Sequence, residues 1–327
     1  MPVKGEAIVL REQGEARVLR LEEQDFGDPG PGQVRLRTTA AGVNFHDVYV
    51  RSGAYQTLKL PGIPGLEAVG VVEAVGAGVS DFAIGQRAAW MDPAYGGYST
   101  WKVVDAAVAV PIPDAVDDVT AAAIYLKGLT AHALVAGVHP VREGERVLVQ
   151  AAAGGVGRLL AQMAKARGAY VIGTAGSPEK AAIAQESGCD AVILYRDEEV
   201  APRVQELTGG KGVDVAFDAV GRDTFDGSLA SLGMRGHLVN YGQSSGPIAP
   251  FEISRLAPKS LSLTWPFVWA YVATPELLRA AAADLFGAVA GETLKVGIGA
   301  VFPLAEAWRA HAALEARGTG PFVLDCR

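Results

Sequence analysis

Cysteine is nearly absent from this chain, which contains only Cys189 and Cys326 among its 327 residues. Two thiols are too few for a disulfide framework or for a four-cysteine zinc site. A reducing, cytoplasmic location is therefore expected. Because Cys189 lies in a predicted turn between a helix and a strand, we expect it to be a small buried residue without a catalytic role.

Clusters of positive charge are absent as well. The chain has 29 Lys and Arg against 36 Asp and Glu, a formal net charge of −7, and its basic residues are scattered singly. Proteins that bind nucleic acid without sequence preference neutralise its phosphates with patches of Lys and Arg. Nucleic acid is therefore not expected as the main partner.

Long apolar runs without charge are also missing. The longest apolar stretch covers residues 119–138 and contains Lys127, Gly128 and His132, which argues against a membrane span. We expect instead a buried helix that joins two domains. Charged residues interrupt the apolar runs of residues 1–19, so no signal peptide and no membrane partner are predicted.

Hydrophobic residues, at 50%, and glycines, of which there are 40, are abundant. A chain of this length and composition is expected to form two compact domains. From Val147 onward strand and helix patterns alternate, which is typical of an α/β fold with a doubly wound parallel sheet. The predicted strands are 147–151, 169–174, 191–195, 213–220, 237–242 and 260–265, and the predicted helices are 156–167, 178–187, 198–207 and 223–232.

The first 110 residues have a different pattern, with short alternating strands interrupted by proline and glycine, which predicts a compact β-rich domain. After Trp265 the pattern predicts helices at 275–290 and 303–316 and a strand at 322–327. We expect this tail to pack back onto the β-rich domain. The predicted domains are therefore 1–127 with 266–327, and 128–265.

The segment VLVQAAAGGVG at 147–157 predicts a dinucleotide-binding element. A strand precedes its glycine turn and a helix follows it, so backbone amides at the helix N-terminus are placed to hold a pyrophosphate. Gly154, Gly155 and Gly157 allow the close approach, whereas Ala152 stands where the usual motif has its first glycine. The alternative is an ordinary turn between a strand and a helix.

The end of the next strand bears on the choice of cofactor. A site selective for NAD has an acidic residue there that bonds the ribose 2′-hydroxyl, but this chain reads GTAGS at 173–177. Lys180 follows shortly and Tyr195 ends the third strand, and a 2′-phosphate needs cationic and hydroxyl partners. NADPH is favoured. In the alternative interpretation Lys180 is merely an exposed lysine in a helix, and the neighbouring Glu179 weakens the positive electrostatic potential there.

Four more segments extend the comparison beyond the glycine turn, namely GVNFHDVYVRSGAY at 42–55, LPGIPGLEAVGVV at 60–72, LKGLTA at 126–131 and YGQSSG at 241–246. With AAAGGVG they make the chain similar to the quinone oxidoreductase, or zeta-crystallin, family of the medium-chain dehydrogenase/reductase superfamily. The resemblance spans essentially the whole chain. It implies a GroES-like β-rich catalytic domain and a Rossmann dinucleotide-binding domain.

The same resemblance bears on metals. Zinc-dependent members of the superfamily place a cysteine where this chain has Asn44, and a histidine where it has Leu66 before Glu67. Neither replacement is a zinc ligand, so no metal is expected. The histidines at 46, 132, 139, 237 and 311 have no typical ligand spacing and are expected to be structural. Among them, His46 flanks the expected nicotinamide site.

The resemblance also implies site residues. Asn44, Tyr49 and Tyr55 are the catalytic candidates, expected beside the nicotinamide, with Asn44 and Tyr49 ordering cofactor or substrate and Tyr55 facing the substrate; each is equally open to a packing role. Arg317 is expected to join Lys180 and Tyr195 at the 2′-phosphate, although the nearby Pro321 departs from the commoner family ending. The cofactor set is Asn44, Tyr49, Thr130, Gly154, Gly155, Val156, Gly157, Gly173, Thr174, Ser177, Lys180, Tyr195, Val220, Tyr241, Gly242, Gln243, Ser244, Phe267 and Arg317.

The activity implied by the resemblance is zinc-independent reduction of a quinone or another conjugated carbonyl by NADPH. Two alternatives stay open. One is reduction of an activated alkene, namely an enone, a haloacrylate or an enoyl thioester. The other is a non-enzymatic, crystallin-like or RNA-binding role that retains NADPH binding. Relatives form dimers or tetramers, and an exposed strand near 238–264 is the expected pairing edge of a homodimer.

Overall fold

The computed structural model describes residues 2–327, which form two compact units. One comprises residues 2–126 with Val272–Arg327, and the other comprises Lys127–Tyr271. The predicted boundaries assign Lys127 and residues 266–271 to the first of these, whereas the structure groups them with the second. The side chain of Lys127 lies against Gly155, and the ring of Tyr271 lies against Gly137, where an added Cβ would be 2.7 Å from the ring carbon Cδ1.

The first unit begins with strands and one short helix. These are β1 (Val3–Leu10), β2 (Leu19–Phe26), β3 (Gln33–Val43), α1 (Phe45–Ser52), β4 (Glu67–Val75), β5 (Arg87–Met91), β6 (Trp101–Asp105) and β7 (Ala109–Pro111). β1 and β2 form an antiparallel pair of their own. The sequence-based prediction of a β-rich first domain is confirmed.

Helix α2 (Asp118–His132) follows and continues through a π-helical segment, Ala133–Val138. Within residues 2–327, the combined run 118–138 is the one helix long and apolar enough to cross a membrane by length and composition alone. However, 72% of its most apolar window is buried inside the protein. That burial is what a core helix shows, in agreement with the buried helix predicted from the sequence.

The second unit is a six-stranded parallel sheet with helices between its strands. The elements are β8 (Arg146–Val149), α3 (Gly155–Ala166), β9 (Tyr170–Ala175), α4 (Pro178–Glu186), β10 (Ala191–Leu194), α5 (Val200–Leu207), β11 (Val213–Asp218), α6 (Phe225–Ser231), β12 (Leu232–Asn240) and β13 (Ser262–Thr264). The strand order is β10-β9-β8-β11-β12-β13. This is the doubly wound order, and its direction of winding reverses between β8 and β11.

Buried aliphatic residues on successive strands hold this sheet together. Leu148, Ile172, Ile193 and Leu238, from β8, β9, β10 and β12, are fully buried in one cluster. Helices on both faces cover strands that are apolar on both sides, which explains their nearly continuous hydrophobic runs. The predicted doubly wound sheet is confirmed.

Some predicted boundaries were wrong by a few residues, and two have clear local causes. Helix α6 begins at Phe225 and not at 223, because the carboxylate of Asp218 accepts hydrogen bonds from the loop, including one from the Thr224 hydroxyl at 2.8 Å. The last helix begins at Ala307 and not at 303, because Pro303 ends a strand and a 3₁₀ turn follows it.

The chain then returns to the first unit with α7 (Pro275–Ala290), β14 (Ala300–Pro303), α8 (Ala307–Glu315) and β15 (Phe322–Asp325). β15 pairs antiparallel with β3 and parallel with β14. The tail therefore completes a seven-stranded sheet of order β14-β15-β3-β4-β5-β7, with β6 also paired to β3. The expectation that the tail packs onto the first domain is confirmed.

Candidate active site

The glycine turn after β8 leads into α3 at the point where the sheet reverses direction. Gly154 is the residue before the helix, and no side chain caps that end. An added Cβ on Gly157 would overlap the carbonyl oxygen of Ala151 and lie 3.0 Å from Cα of Ala152. The turn therefore needs glycine at 157, and the first amides of α3 are oriented as an anion site requires.

Ala152 replaces the first glycine of the usual motif at no steric cost. Its side chain is fully buried and lies against Gly173 in β9, where an added Cβ would be 2.8 Å from Cβ of Ala152 and 2.7 Å from Sγ of Cys189. The missing side chain at 173 leaves room for the extra methyl group at 152. The turn therefore accommodates alanine at 152 because its neighbour at 173 is glycine.

A buried chain of hydrogen bonds joins the carboxyl ends of three strands beside this turn. The hydroxyl of Thr174 donates to Oε1 of Gln150 at 2.7 Å, Nε2 of Gln150 donates to Oγ of Ser228 at 3.0 Å, and Ser228 donates to Oδ2 of Asp218 at 2.7 Å. All four side chains are at most 2% exposed. The backbone N–H of Ala151 donates to Thr174 at 3.1 Å, which ties the glycine turn to the chain.

The end of β9 and the residue after β10 pack closely against each other and form a corner. An added Cβ on Gly176 would overlap the hydroxyl oxygen of Tyr195 and lie 2.9 Å from its Cζ. Ser177 begins α4 by accepting a hydrogen bond from the backbone N–H of Lys180 at 3.4 Å. The structure therefore brings Tyr195 onto the backbone beside the residues predicted to surround a 2′-phosphate.

Two loops pack against each other at the ends of β11 and β12. The backbone N–H groups of Ser244 and Ser245 donate to the carbonyl oxygens of Ala219 and Val220 at 3.2 and 2.9 Å. An added Cβ on Gly242 would lie 2.7 Å from the Ala219 oxygen. The predicted residues Val220 and Tyr241–Ser244 are thus brought together at the carboxyl edge of the sheet.

The remaining predicted cofactor residues lie elsewhere. Thr130 lies on α2 and Phe267, which is 61% exposed, follows β13, both within the second unit. Arg317 belongs to the first unit, where it is exposed just after α8 with a φ of 58°. Its predicted contact with a 2′-phosphate stays a prediction.

In the first unit, Asn44 is held by a buried carboxylate. Nδ2 of Asn44 donates to Oε1 of Glu67 at 2.8 Å, and Oε2 of Glu67 accepts from the backbone N–H of Leu126 at 2.6 Å. Glu67 is fully buried and Asn44 is 7% exposed. Gly42 is essential to this approach, because an added Cβ there would overlap Oε1 of Glu67.

The orientation of the Asn44 amide follows from that contact. Because Nδ2 faces a carboxylate, Oδ1 must face the other way, and the amide cannot rotate without losing a bond to a charged group. The backbone N–H of Asn44 donates to Oδ2 of Asp47 at 2.9 Å, which fixes the start of α1. Asn44 is therefore a rigid polar group.

Aromatic rings surround the two predicted tyrosines. The Tyr49 and Tyr55 ring centroids are 4.9 Å apart, and the His46 ring meets Tyr55 edge-on at 5.3 Å and Tyr95 at 5.9 Å. Burial lowers the pKa of His46 to about 4, so its imidazole is neutral at pH 7. A flat apolar substrate finds stacking partners in such a group.

No three His, Cys, Asp or Glu side chains among residues 2–327 come together in a way that would hold a metal ion. Cys189 and Cys326 are both buried, and burial raises the pKa of Cys189 to about 12. A thiol this basic stays protonated at neutral pH and is a poor nucleophile. Cys189 is thus a small buried residue, as predicted.

Sequence reasoning did not anticipate three polar residues that organise these sites, Glu67, Gln150 and Asp218. Gln150 and Asp218 lie at the carboxyl ends of β8 and β11, where parallel-sheet enzymes place functional groups, whereas Glu67 begins the antiparallel strand β4. In each case the available signal was an isolated polar residue at the end of an apolar strand pattern. Their partners, Asn44 and Ser228 among them, are distant in sequence and are identified by the fold alone.

Comparison with known proteins agrees with this geometry. Residues 30–114 match the family model described as alcohol dehydrogenase GroES-like domain, and residues 155–283 match the model described as zinc-binding dehydrogenase. A quinone oxidoreductase from Pseudomonas aeruginosa is 44% identical over 307 residues, 94% of each chain. The chain belongs to the quinone oxidoreductase family. The predicted resemblance is thereby confirmed.

Two further relatives show the range of this quinone oxidoreductase family. The crystal structure of Escherichia coli quinone oxidoreductase complexed with NADPH superposes with a TM-score of 0.95 at 39% identity, and the match covers 98% of this chain and 99% of that one. A 2-haloacrylate reductase from a Burkholderia species is 40% identical over 326 residues, 97% of this chain and 98% of its own. The family thus includes reductases of quinones and of an activated alkene.

The need for glycine at 157 predicts that Gly157→Ala weakens binding of a nicotinamide dinucleotide by at least about tenfold. The new Cβ must displace the backbone of the turn, and this displacement costs about 1–3 kcal/mol. Gly227→Ala is the matched control, because an added Cβ at 227 meets nothing within 4 Å. Both dissociation constants follow from fluorescence titration. Equal binding by the two variants would contradict the proposed role of the turn.

The Glu67 contacts predict that Glu67→Gln lowers the free energy of unfolding by about 1.5–3 kcal/mol, because one amide oxygen cannot accept from both Asn44 and Leu126 at their present positions. Urea denaturation measures the change. Glu73→Gln, which alters the surface pair with Arg37, is expected to cost less than about 1 kcal/mol. A Glu67→Gln cost as small as that of the control would show that the buried carboxylate is not needed.

Proposed function

We propose that this protein is an NADPH-dependent, zinc-independent quinone reductase. The observation that carries the proposal is the corner beside the glycine turn, where Tyr195 lies on Gly176 and Lys180 follows Ser177, with no carboxylate at 173–177. This donor set suits a phosphate better than a ribose hydroxyl. The NADPH-bound E. coli relative, at 39% identity, supports the assignment.

The second unit would hold the cofactor at the carboxyl edge of its sheet. The amides at the start of α3 would hold the pyrophosphate, and the Thr174–Gln150–Ser228–Asp218 chain keeps the neighbouring strand ends in register. When bound, NADPH supplies the hydride equivalent that reduces the substrate. The negative charge of Glu179 opposes binding of the phosphate. A hydrogen bond from Ser177 lowers the pKa of the Glu179 carboxyl and keeps it ionised.

The first unit would provide the substrate side. Tyr49, Tyr55 and His46 present aromatic surface for a planar ring, and Asn44 is a fixed amide that can accept or donate a hydrogen bond at a known orientation. With Asn44 and Leu66 at the positions of zinc ligands, stabilisation of negative charge on the substrate oxygen falls to hydrogen-bond donors. These roles for Asn44, Tyr49 and Tyr55 are part of the proposal.

Reduction of an activated alkene is the second candidate, favoured by the 40% identity to the 2-haloacrylate reductase over nearly the whole chain. The same group of aromatic and amide side chains suits an enone, since hydride then goes to the β-carbon and a proton to the α-carbon. Either substrate class fits a cytoplasmic enzyme whose two thiols are buried and reduced.

NADPH oxidation by the purified protein tests the proposal, with 1,4-benzoquinone, 9,10-phenanthrenequinone, an enone, 2-chloroacrylate and crotonyl thioester as acceptors and NADH as the cofactor control. Turnover of quinones with a preference for NADPH is expected, and it should survive dialysis against a zinc chelator. Turnover of the alkenes alone would replace the first candidate by the second. Tight NADPH binding without any turnover would favour a non-enzymatic role.

The cofactor corner predicts that Lys180→Ala raises the dissociation constant of NADPH by about tenfold, the loss of roughly one charge-assisted contact, and leaves that of NADH unchanged. Lys211→Ala is the matched control, because Lys211 precedes β11 and so lies at the opposite, amino edge of the same sheet. Fluorescence titration of both cofactors gives the ratio. An equal effect of Lys180→Ala on NADH would show that this lysine does not contact the 2′-phosphate.

A homodimer is also part of the proposal. β13 pairs with β12 on one side and is the edge strand of the sheet, with Leu263 37% and Trp265 53% exposed. An exposed edge strand that carries one apolar side chain, Leu263, and is followed by another, Trp265, favours pairing with a second copy. Light scattering after size exclusion is expected to give the mass of a dimer for the wild type and of a monomer for Leu263→Asp. A wild-type monomer would reject this assembly.

A further inference from the structure

Three side chains of the first unit, His46, Tyr95 and Thr57, form a continuous hydrogen-bonded chain, and the assignments above use only the aromatic ring of His46. Oη of Tyr95 lies 2.9 Å from Nε2 of His46 and is also hydrogen-bonded to Oγ1 of Thr57. Tyr95 is 3% exposed, whereas Thr57 is exposed. The chain therefore connects the protein surface with the imidazole of His46.

The inner end of the chain lies in the proposed substrate region. The His46 ring contacts Tyr55 edge-on, with centroids 5.3 Å apart, and Tyr55 in turn lies 4.9 Å from Tyr49. The outer end, at Thr57, follows Tyr55 by two residues in the loop after α1. Surface and substrate region are thus linked by one tyrosine hydroxyl.

The backbone at Tyr95, the central residue of the chain, has an unusual conformation. Its φ is 63°, in the left-handed region that costs a bulky residue about 1–2 kcal/mol. Nζ of Lys102 donates to the Tyr95 carbonyl oxygen at 2.6 Å, and the Tyr95 N–H donates to the carbonyl oxygen of Asp92 at 3.0 Å. Strain of this kind, fixed by surrounding contacts, is concentrated at functional sites.

The protonation state of His46 sets what the chain can do. Burial lowers the pKa of the imidazole to about 4, so one ring nitrogen carries a proton at pH 7 and the other accepts. If Thr57 donates to Tyr95 and Tyr95 donates to Nε2, then Nδ1 carries the proton. His46 is then a neutral donor backed by two hydroxyl groups.

We propose that Thr57, Tyr95 and His46 form a relay that delivers a solvent proton to the reduced substrate. The inference rests on the proposed function, because reduction of a quinone by hydride leaves an anion that needs one proton to become the hydroquinone. His46 is the group that would touch the substrate. Tyr95 and Thr57 act through His46 and are positioning residues.

The transfer balances along the chain. The N–H bond at Nδ1 of His46 breaks as the substrate oxygen gains the proton, and Nε2 gains the proton of the Tyr95 hydroxyl. Tyr95 takes the proton of Thr57, and Thr57 takes one from water, which leaves hydroxide in solvent. After product release Nδ1 takes a proton from water and the chain runs in reverse, so no oxidant or reductant beyond NADPH is required.

Tyr95→Phe tests the relay, because it removes the central hydroxyl and keeps the ring. Loss of a positioned proton donor costs about 10²-fold in kcat, with NADPH binding unchanged. The solvent isotope effect in D₂O should rise, and the isotope effect of deuterated NADPH should fall, since proton delivery then limits the rate. Tyr170→Phe removes a hydroxyl at the start of β9 in the second unit and is the matched control.

Thr57 supplies an independent test, since it is exposed and its replacement does not threaten the fold. Thr57→Val should lower kcat by about tenfold or less, because water can partly replace its hydroxyl, and Thr57→Ser should restore it. Wild-type rates and solvent isotope effects in both Tyr95→Phe and Thr57→Val would overturn the relay. So would a Tyr95→Phe variant that loses only stability or substrate affinity while Thr57→Val is normal.

The activity of the wild-type enzyme distinguishes failure of the relay from failure of the proposed function. If it oxidises NADPH with quinones while the relay variants are unaffected, the relay fails and the proposed function stands. If it oxidises NADPH with neither quinones nor enones, the proposed function fails and the relay fails with it.

Discussion

The buried hydrogen-bond chain at the carboxyl edge of the parallel sheet is the constraint on which the cofactor site depends. Gln150 lies between Thr174 and Ser228, and Ser228 bonds Asp218, so the ends of β9, β8 and β11 are tied together where the sheet reverses direction. Because each member is buried, an unmade bond would cost about 1–3 kcal/mol. This hydrogen-bond chain fixes the positions of the glycine turn and of the loop after β11.

In the first unit a buried carboxylate, Glu67, holds its neighbours in place by hydrogen bonds in the same way. The Glu67 carboxylate accepts from Asn44 and Leu126 and is approached closely because Gly42 has no side chain. A buried charge is retained only where hydrogen bonds replace water, so each partner is required. The result is a fixed amide at 44, the residue immediately before α1, the helix that carries the rings of His46 and Tyr49. Polar groups buried for structural reasons thus orient those expected to meet the substrate.

Much of the fold could be predicted from the sequence, because strand and helix patterns alternate regularly from Val147 onward and Gly157 follows a strand directly. The packing of Ala152 against Gly173 could not be predicted. These two residues are 21 positions apart in the chain and meet only because β8 and β9 are neighbours in the sheet. The pairings of Asn44 with Glu67 and of His46 with Tyr95 depend on loops that return from distant positions. Local patterns predict elements and glycine turns, while partners across the fold require the structure.

A crystal structure of the NADPH complex tests the central claim most directly, with anomalous data at the zinc edge from protein prepared in zinc-containing medium. We expect the pyrophosphate on the amides at the start of α3, a 2′-phosphate oxygen within hydrogen-bond distance of Lys180 or Tyr195, and no zinc beside Asn44 and Glu67. A 2′-phosphate in solvent, a nucleotide bound away from the glycine turn, or a zinc ion at Glu67 would contradict it.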